Sequence, residues 1–107
     1  MQKSTFPEAL AQKIKIINQN MPNLIELGVK KVGIFGSFVT GSNDEESDLD
    51  ILIEFNKDFN TYDNLLNVHF LLQKLFPQKI DLVTINGLSP YIKESVLTEV
   101  VFVEASS

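Results

Sequence analysis

Residues 35–55, FGSFVTGSNDEESDLDILIEF, join a glycine-bounded turn, an acidic loop and an alternating segment. In residues 48–55 (DLDILIEF), the apolar side chains at positions 49, 51, 53 and 55 point one way. Positions 48, 50, 52 and 54 point the other way, because successive side chains of a strand alternate between its faces. The stretch therefore predicts a turn over 36–41, a loop over 43–47 and a strand over 48–55 with one well-packed face.

The flanking sequence predicts an irregular alternation of helices and strands. We expect a helix opened by Pro7, a short turn over 23–27, and strands over 31–35, 79–85 and 100–103. Further helices are predicted over 62–76, where Pro77 stops the pattern, and from Pro90 to about Thr98, with Ser89 as the cap. Since some connections are helical and others short, the fold class is α/β (α+β), with a mixed sheet and helices packed on it. The length of 107 residues predicts a single domain, residues 1–107.

Composition excludes several classes of protein. Hydrophobic residues make up 44% and charged residues 21%, which is typical of a globular chain. There is no cysteine, so disulfides, thiolate zinc sites and cysteine nucleophiles are excluded. No apolar run approaches the ~18 residues of a membrane span, and the N-terminus has no signal-peptide pattern. We expect a cytoplasmic protein with no membrane association.

The charge balance argues against direct nucleic-acid binding. The net charge is −5, and all nine basic residues are lysines. Proteins that bind nucleic acid through their own field usually carry a basic patch. If this chain handles phosphates, backbone amides, lysines or a bound metal must supply the positive charge.

Two carboxylates in the alternating segment point to a metal. Asp48 and Asp50 are two positions apart, which on a strand puts both on one face, roughly 7 Å apart. Such a pair stays ionised at modest cost when a cation lies between them. Hard oxygen ligands suit Mg²⁺ or Mn²⁺, and Mg²⁺ sites usually combine one or two carboxylates with substrate phosphates. Solvated strand positions are the alternative reading of the same pair.

The glycine turn has the composition of a phosphate-binding turn. Gly36 and Ser37 directly follow the strand 31–35. A glycine allows a phosphate to approach the backbone, and a serine hydroxyl with free amides at a helix start can bind it. Gly41 would let the turn end tightly, although ordinary turn chemistry also explains both glycines. A nucleoside triphosphate with its metals would fit between this turn and the two carboxylates.

These motifs together resemble a known signature. Gly36-Ser37, Gly41 and Ser47-Asp48-Leu49-Asp50 match the G-S-x(3)-G…S-D-x-D pattern of the DNA polymerase beta-like nucleotidyltransferase superfamily. Residues 79–104, KIDLVTINGLSPYIKESVLTEVVFVE, are similar to its minimal nucleotidyltransferase (MNT) branch. The similarity runs from about Asn23 onward and implies a polymerase beta-like fold.

The resemblance also implies roles for individual residues. Asp48 and Asp50 would hold two metal ions, and Asp81 would be the third metal ligand and would accept or orient the attacking hydroxyl. Glu54 shares a face with the pair but lies further along the strand and ranks lower. Nucleotide and phosphate binding falls to the turn and loop residues Gly36, Ser37, Gly41 and Ser47. The implied reaction transfers a nucleoside monophosphate, AMP from ATP by analogy, to a hydroxyl with release of pyrophosphate.

One departure from the pattern concerns the turn. Many relatives carry arginine after the Gly-Ser pair, whereas residues 38–40 are Phe-Val-Thr here. Arginine would add charge-assisted contacts to a triphosphate. Its absence weakens nucleotide affinity unless Lys30, Lys31 or a partner compensates.

The MNT resemblance implies a protein partner. MNT proteins resemble antitoxins that neutralise a HEPN-domain RNase toxin by attaching AMP to one of its tyrosines. An acidic, arginine-free chain suits a basic RNase as partner. The alternatives are a non-catalytic module that neutralises its partner by occlusion and an enzyme that modifies a small-molecule hydroxyl. His69, beside the apolar face of helix 62–76, is predicted to be packed or half-buried rather than catalytic.

Overall fold

A four-stranded mixed sheet forms the centre of a computed structural model that describes residues 7–103. The strands lie in the order β3-β2-β1-β4. β1 is antiparallel to both β2 and β4, and β2 is parallel to β3. The strands are β1 Val29–Phe35, β2 Leu49–Phe55, β3 Ile80–Thr84 and β4 Val101–Val103. The helices are α1 Glu8–Gln19, α2 Met21–Glu26, α3 Ser37–Thr40, α4 Tyr62–Leu75 and α5 Pro90–Glu99, with a 3-10 turn at Ile85–Gly87.

The predicted α/β class and mixed sheet are confirmed. The two parallel strands β2 and β3 are connected through α4, whereas the antiparallel strands β1 and β2 are joined by α3 and a loop. Within residues 7–103, no helix has the length and hydropathy needed to cross a membrane.

One face of the sheet carries the hydrophobic core. Ile51 and Ile53 of β2 are fully buried and pack with apolar side chains from α1, α2 and α4. The odd-numbered positions of β2 are therefore buried, as their alternating spacing predicts. Burying each such side chain contributes about 1.5–3 kcal/mol.

The opposite face is partly packed as well, which corrects the prediction of a single packed face. Leu52 shares this face with Asp50, yet it is fully buried. Its register partners are Gly33 on β1 and Val83 on β3. The sequence pattern missed this because a lone leucine among charged residues shows no periodicity of its own.

Several boundaries differ from the predicted ones for local reasons. β1 begins at Val29, two residues early, and a register irregularity lies between Val29 and Lys31. β2 begins one residue late, so Asp48 belongs to the preceding loop. The amide of Leu49 donates to the carbonyl of Lys79 at 2.8 Å, and this is where strand pairing starts.

The C-terminal elements are confirmed within a residue or two. The Ser89 hydroxyl accepts a hydrogen bond from the Tyr91 amide and caps α5, as predicted. Ile85 leaves the predicted strand for the 3-10 turn, since the Thr84 hydroxyl accepts from the Gly87 amide. Pro7 takes the cap position of α1 rather than its first turn.

Candidate active site

Asp50 and Asp81 lie side by side at one end of the sheet. They are direct partners in the parallel register of β2 and β3. On its other side Asp50 pairs with Phe35, the last residue of β1. The predicted third carboxylate is thus adjacent to the second, on the neighbouring strand, which is where the resemblance puts it.

This crowding is reflected in the acidity of Asp50. Burial raises its pKa from an ordinary 3.8 to about 6, with the charge of Asp81 as the next cause. A hydrogen bond between the two carboxyls, which requires a proton on one of them, acts in the same direction. The charges of Asp48 and Glu99 raise the pKa of Asp50 further. Negative charge is therefore concentrated at this end of the sheet.

Gly36 leaves the space that the Asp50 carboxylate occupies. A Cβ at position 36 would meet the Asp50 Oδ2 oxygen at far less than contact distance. The backbone of Gly36 also has φ +79°, a conformation that side chains disfavour. Both facts require glycine here, and they bring the turn and the carboxylate into direct contact.

The short helix α3 begins immediately after Gly36. The amides of Val39 and Thr40 donate to the Gly36 carbonyl at 3.0 and 3.1 Å. The amides of Ser37 and Phe38 are the first in the helix, where no intrahelical acceptor exists. Such amides can bind phosphate, as predicted for this turn.

The residues that replace arginine in α3 have packing roles. Phe38 is 2% exposed and belongs to the core, and Val39 packs against it. The Nζ of Lys13 lies 5.7 Å from the centroid of the Phe38 ring. The turn is therefore anchored by apolar burial, and α3 itself offers no cationic side chain.

Gly41 has a different role from Gly36. It ends α3 in the left-handed conformation, with φ +83° and ψ 8°. A Cβ there would meet nothing within 4 Å. Its requirement for glycine is conformational, and the phosphate-binding role of Gly41 stays a prediction.

The acidic loop is organised by its own side chains. The Ser47 hydroxyl accepts from the Asp44 amide at 2.8 Å and donates to the Asp44 carboxylate at 3.2 Å. The same carboxylate accepts from the Glu46 amide at 2.9 Å. Ser47 thus closes the turn before Asp48, an exposed residue. The nucleotide-binding role of Ser47 also stays a prediction.

Glu99 was missed by the sequence reasoning. It is the last residue of α5 and is half-buried, and its charge acts on Asp50. β4 pairs Val101 with Ile34 of β1, so the chain just before it runs beside the end of β1. The sequence predicts only that a helix ends directly before a strand at this point. It does not place Glu99 near Asp50, because the strand pairing that brings them together is long-range.

Other candidates lie away from this end of the sheet. Lys31 pairs with Glu54 in the β1–β2 register, and its Nζ lies 5.5 Å from the centroid of the Phe102 ring. Glu54 is four positions from Asp50, roughly 13 Å along the strand. Lys31 and Glu54 therefore stand apart from the Asp50–Asp81 pair, in agreement with the lower rank of Glu54.

The carboxylates at this end of the sheet could supply part of the coordination shell of a hard divalent cation. As the side chains lie, no three ligands of the His, Cys, Asp or Glu type converge on one point in residues 7–103. The contacting pair Asp50 and Asp81, with the charge of Asp48 beside it, supplies oxygen donors whose mutual repulsion a cation would relieve. Mg²⁺ commonly takes few protein ligands and completes its shell with phosphate and water. The donor set fits Mg²⁺ or Mn²⁺.

Comparison with known proteins shows which family the chain belongs to. A family model described as the nucleotidyltransferase domain matches residues 11–103. A protein of Methanocaldococcus jannaschii that carries the provisional name protein adenylyltransferase is 35% identical over 81 residues, 76% of this chain and 86% of that protein. The protein adenylyltransferase MntA of Thermococcus cleftensis is 37% identical over 76 residues, 71% of this chain and 76% of the relative.

Solved structures agree with these sequence matches. A structure provisionally described as a minimal nucleotidyltransferase superposes with a TM-score of 0.68 and 28% identity, covering 85% of this chain and 88% of that chain. An MNT antitoxin in complex with a tri-AMPylated HEPN toxin of Shewanella oneidensis has the same fold, with a TM-score of 0.64 and 16% identity over 91% of this chain and 73% of the other.

The fold, the glycine turn and these matches define an enzyme of the nucleotidyltransferase class. The chain belongs to the nucleotidyltransferase domain family, within its minimal (MNT) branch. The resemblance stated from the sequence is confirmed.

The two glycines of the turn are expected to respond differently to alanine. Gly36→Ala should lower the free energy of unfolding by about 2 kcal/mol or more, because its positive φ with ψ −150° costs a residue with a Cβ about 1–3 kcal/mol and the clash with Asp50 adds to it. Gly41→Ala should cost only the conformational part, about 1 kcal/mol. Urea unfolding measures both.

The ¹³C chemical shift of the Asp50 carboxyl distinguishes the two effects. It should move in Gly36→Ala and stay unchanged in Gly41→Ala. An unchanged Asp50 signal in a folded Gly36→Ala protein would refute the close contact between turn and carboxylate.

The raised pKa of Asp50 predicts a specific pH dependence of stability. The folded state holds the Asp50 proton up to about pH 6, whereas the unfolded state loses it near 3.8. The stabilisation from this proton is thus complete below pH ~4 and is lost as the pH rises through about 6. In EDTA, the stability of wild type relative to Asp50→Asn should fall over this range by about 1 kcal/mol, after allowance for solvent screening.

Glu99→Gln is the companion variant for this measurement. Removal of one repelling charge should lower the pKa of Asp50, read by NMR titration of its carboxyl. A stability difference between wild type and Asp50→Asn that does not vary between pH 4 and 7 would contradict the prediction.

Proposed function

We propose that this chain is a protein adenylyltransferase, which moves AMP from ATP to a hydroxyl on a partner protein. The observation that carries the proposal is the position of Asp50, which lies opposite Asp81 in the strand register and against Gly36, directly before Ser37. Free helix amides would bind the triphosphate, and the carboxylate pair beside them would bind the attacking hydroxyl, so the two reactants would lie next to each other. Two curated relatives that cover most of this chain carry the name protein adenylyltransferase.

The reaction is an in-line displacement at the α-phosphorus of ATP. The acceptor hydroxyl oxygen forms the new bond to phosphorus, the bond to the bridging oxygen of the β-phosphate breaks, and pyrophosphate leaves. Asp81, at the sheet edge, accepts the hydroxyl proton or orients the hydroxyl. The amides of Ser37 and Phe38 bind phosphate oxygens and hold the triphosphate in place.

Asp48, Asp50 and Asp81 would hold the divalent ions that this class of site requires. When bound, such ions neutralise charge on the attacking and leaving oxygens. The chain's own contribution is to keep Asp50 beside Asp81 at the end of β2 and β3, with Asp48 in the loop directly before β2.

A HEPN-domain toxin is the acceptor that we propose. A solved relative of the same fold is an MNT antitoxin in complex with an AMPylated HEPN toxin. α5 offers a docking surface with exposed apolar side chains, since Tyr91 is 95% exposed and Leu97 is 39% exposed. Leu97 also lines a surface hollow of about 430 Å³ along α5, together with Pro90, Lys93, Glu94 and Thr98. α5 ends at Glu99, whose charge acts on Asp50, so a protein bound along it would reach the site.

Occlusion of a toxin without chemistry is the second candidate. The packed residues Phe38 and Val39 in place of a turn arginine favour it, because they add no charge for the triphosphate. The carboxylate pair favours catalysis, since binding alone does not require a destabilising contact between two acids. Transfer to a small-molecule hydroxyl has no specific observation in its favour.

Label transfer from ATP tests the proposal. With α-³²P-ATP and Mg²⁺, a HEPN protein from the source organism should become labelled by wild type. Asp48→Asn and Asp81→Asn should reduce the rate at least 10²-fold, since each removes a carboxylate from the site. Glu45→Gln, a charge loss in the exposed loop, should leave the rate within twofold.

The position of the label separates reaction types. γ-³²P-ATP should give no labelled protein, because pyrophosphate is the leaving group. Labelling from γ-³²P-ATP would indicate phosphoryl transfer, and full activity in both aspartate variants would refute the site.

Docking on α5 gives a separate prediction. Leu97→Asp replaces an exposed apolar side chain of α5 with a charge and should weaken co-purification of the HEPN protein at least tenfold. Asp48→Asn should bind the HEPN protein as wild type does. Toxin neutralisation by Asp48→Asn, without label transfer, would establish occlusion instead of catalysis.

A further inference from the structure

β3 lies at the edge of the sheet, so one side of its backbone has no strand partner among the described residues. The Lys79 carbonyl faces β2, where it accepts from the Leu49 amide. Since backbone groups of a strand alternate in direction, the N–H and C=O of Ile80 face the open edge. Unpaired edge groups need other partners.

Two side chains of α4 supply those partners. The Ile80 amide donates to Gln73 Oε1 at 3.1 Å, and the Ile80 carbonyl lies 3.3 Å from His69 Nε2. Gln73 Nε2 also donates to the Gln78 carbonyl at 2.8 Å. His69 and Gln73 are four residues apart, which puts them on one side of the helix. Both lie in part-buried contacts, where hydrogen bonds are less exposed to competition from water.

Ile80, whose backbone α4 holds, is adjacent in sequence to Asp81, the proposed metal-binding residue. Ile80 directly precedes Asp81, whose carboxyl repels that of Asp50 across the strand pair. Like charges directly opposite on neighbouring strands are destabilising. The hydrogen bonds from α4 fix the backbone of Ile80 from the outer edge of β3, one residue before the position at which Asp81 faces Asp50.

We infer that Gln73, assisted by His69, is a positioning residue that holds Asp81 at its working distance from Asp50. It touches neither nucleotide nor acceptor, and it acts through the backbone of Ile80. A shift of about 1 Å in a catalytic group is enough to cost much of its effect. The inference rests on the proposed function only in taking Asp81 as a metal-binding carboxylate.

Metal affinity tests this role without an acceptor. Gln73→Met keeps the length of the side chain and removes its hydrogen bonds, and Mn²⁺ alone, followed by EPR, is the probe. Mn²⁺ binding should weaken about five- to tenfold. The matched control is Val68→Ala, since Val68 is fully buried in α4 and makes no bond to β3. It should lose stability yet bind Mn²⁺ within twofold of wild type.

Two further variants make the result decisive. His69→Phe should weaken Mn²⁺ binding about two- to threefold, and it serves as the readout if Gln73→Met does not fold. Asp81→Asn should weaken binding at least tenfold. If Asp81→Asn weakens Mn²⁺ binding and Gln73→Met does not, the positioning role is wrong while the proposed function stands. If Asp81→Asn has no effect, both fail. Equal weakening by Val68→Ala would also overturn the inference, because general loosening would explain it.

Discussion

The structure depends on holding two carboxyls, those of Asp50 and Asp81, in contact at one end of a sheet. Burial of Asp50 and, after it, the like charge of Asp81 oppose ionisation, which is why the pKa of Asp50 rises to about 6. Three features of the fold accommodate these two adjacent carboxyls. Gly36 leaves room on one side, the β2–β3 register fixes the pair, and α4 bonds the outer edge at Ile80. The stability needed for this contact comes from elsewhere in the fold.

That stability comes from the opposite face of the same strand. Because β2 alternates, Ile51 and Ile53 enter the core while Asp50 projects from the other side. The strand is therefore anchored within one residue of the carboxylate that it presents. Phe38 does the same for the turn, since its burial fixes α3 directly after Gly36. Rigid apolar anchors next to polar groups are what a preorganised site requires.

The sequence predicted this part of the molecule because its signals are local. A glycine turn, an alternating strand and a capped helix are each read within a few residues, and the structure bears out all three. The roles of Leu52 and Glu99 depend on partners far along the chain, and the role of Gln73 depends on the position of β3 at the sheet edge, so no local pattern predicts them. The strand was predicted one residue too early, at Asp48, because its alternation continues into the loop. What local periodicity cannot give is the pairing between distant strands.

The absence of an arginine from residues 38–40 agrees with the packing of the turn and affects the charge balance of the site. Phe38 and Val39 are part of the packing, so a charged residue at either position would lose apolar contacts. At the same end of the sheet, Asp50 feels the negative charges of Asp48, Asp81 and Glu99. A triphosphate brings more negative charge to a place that already repels it. Helix amides carry only partial charges, so they offset a small share of that repulsion. Under the proposed function, a divalent cation would make the carboxylates and a nucleotide compatible, and nucleotide binding by this chain would be coupled to cation binding.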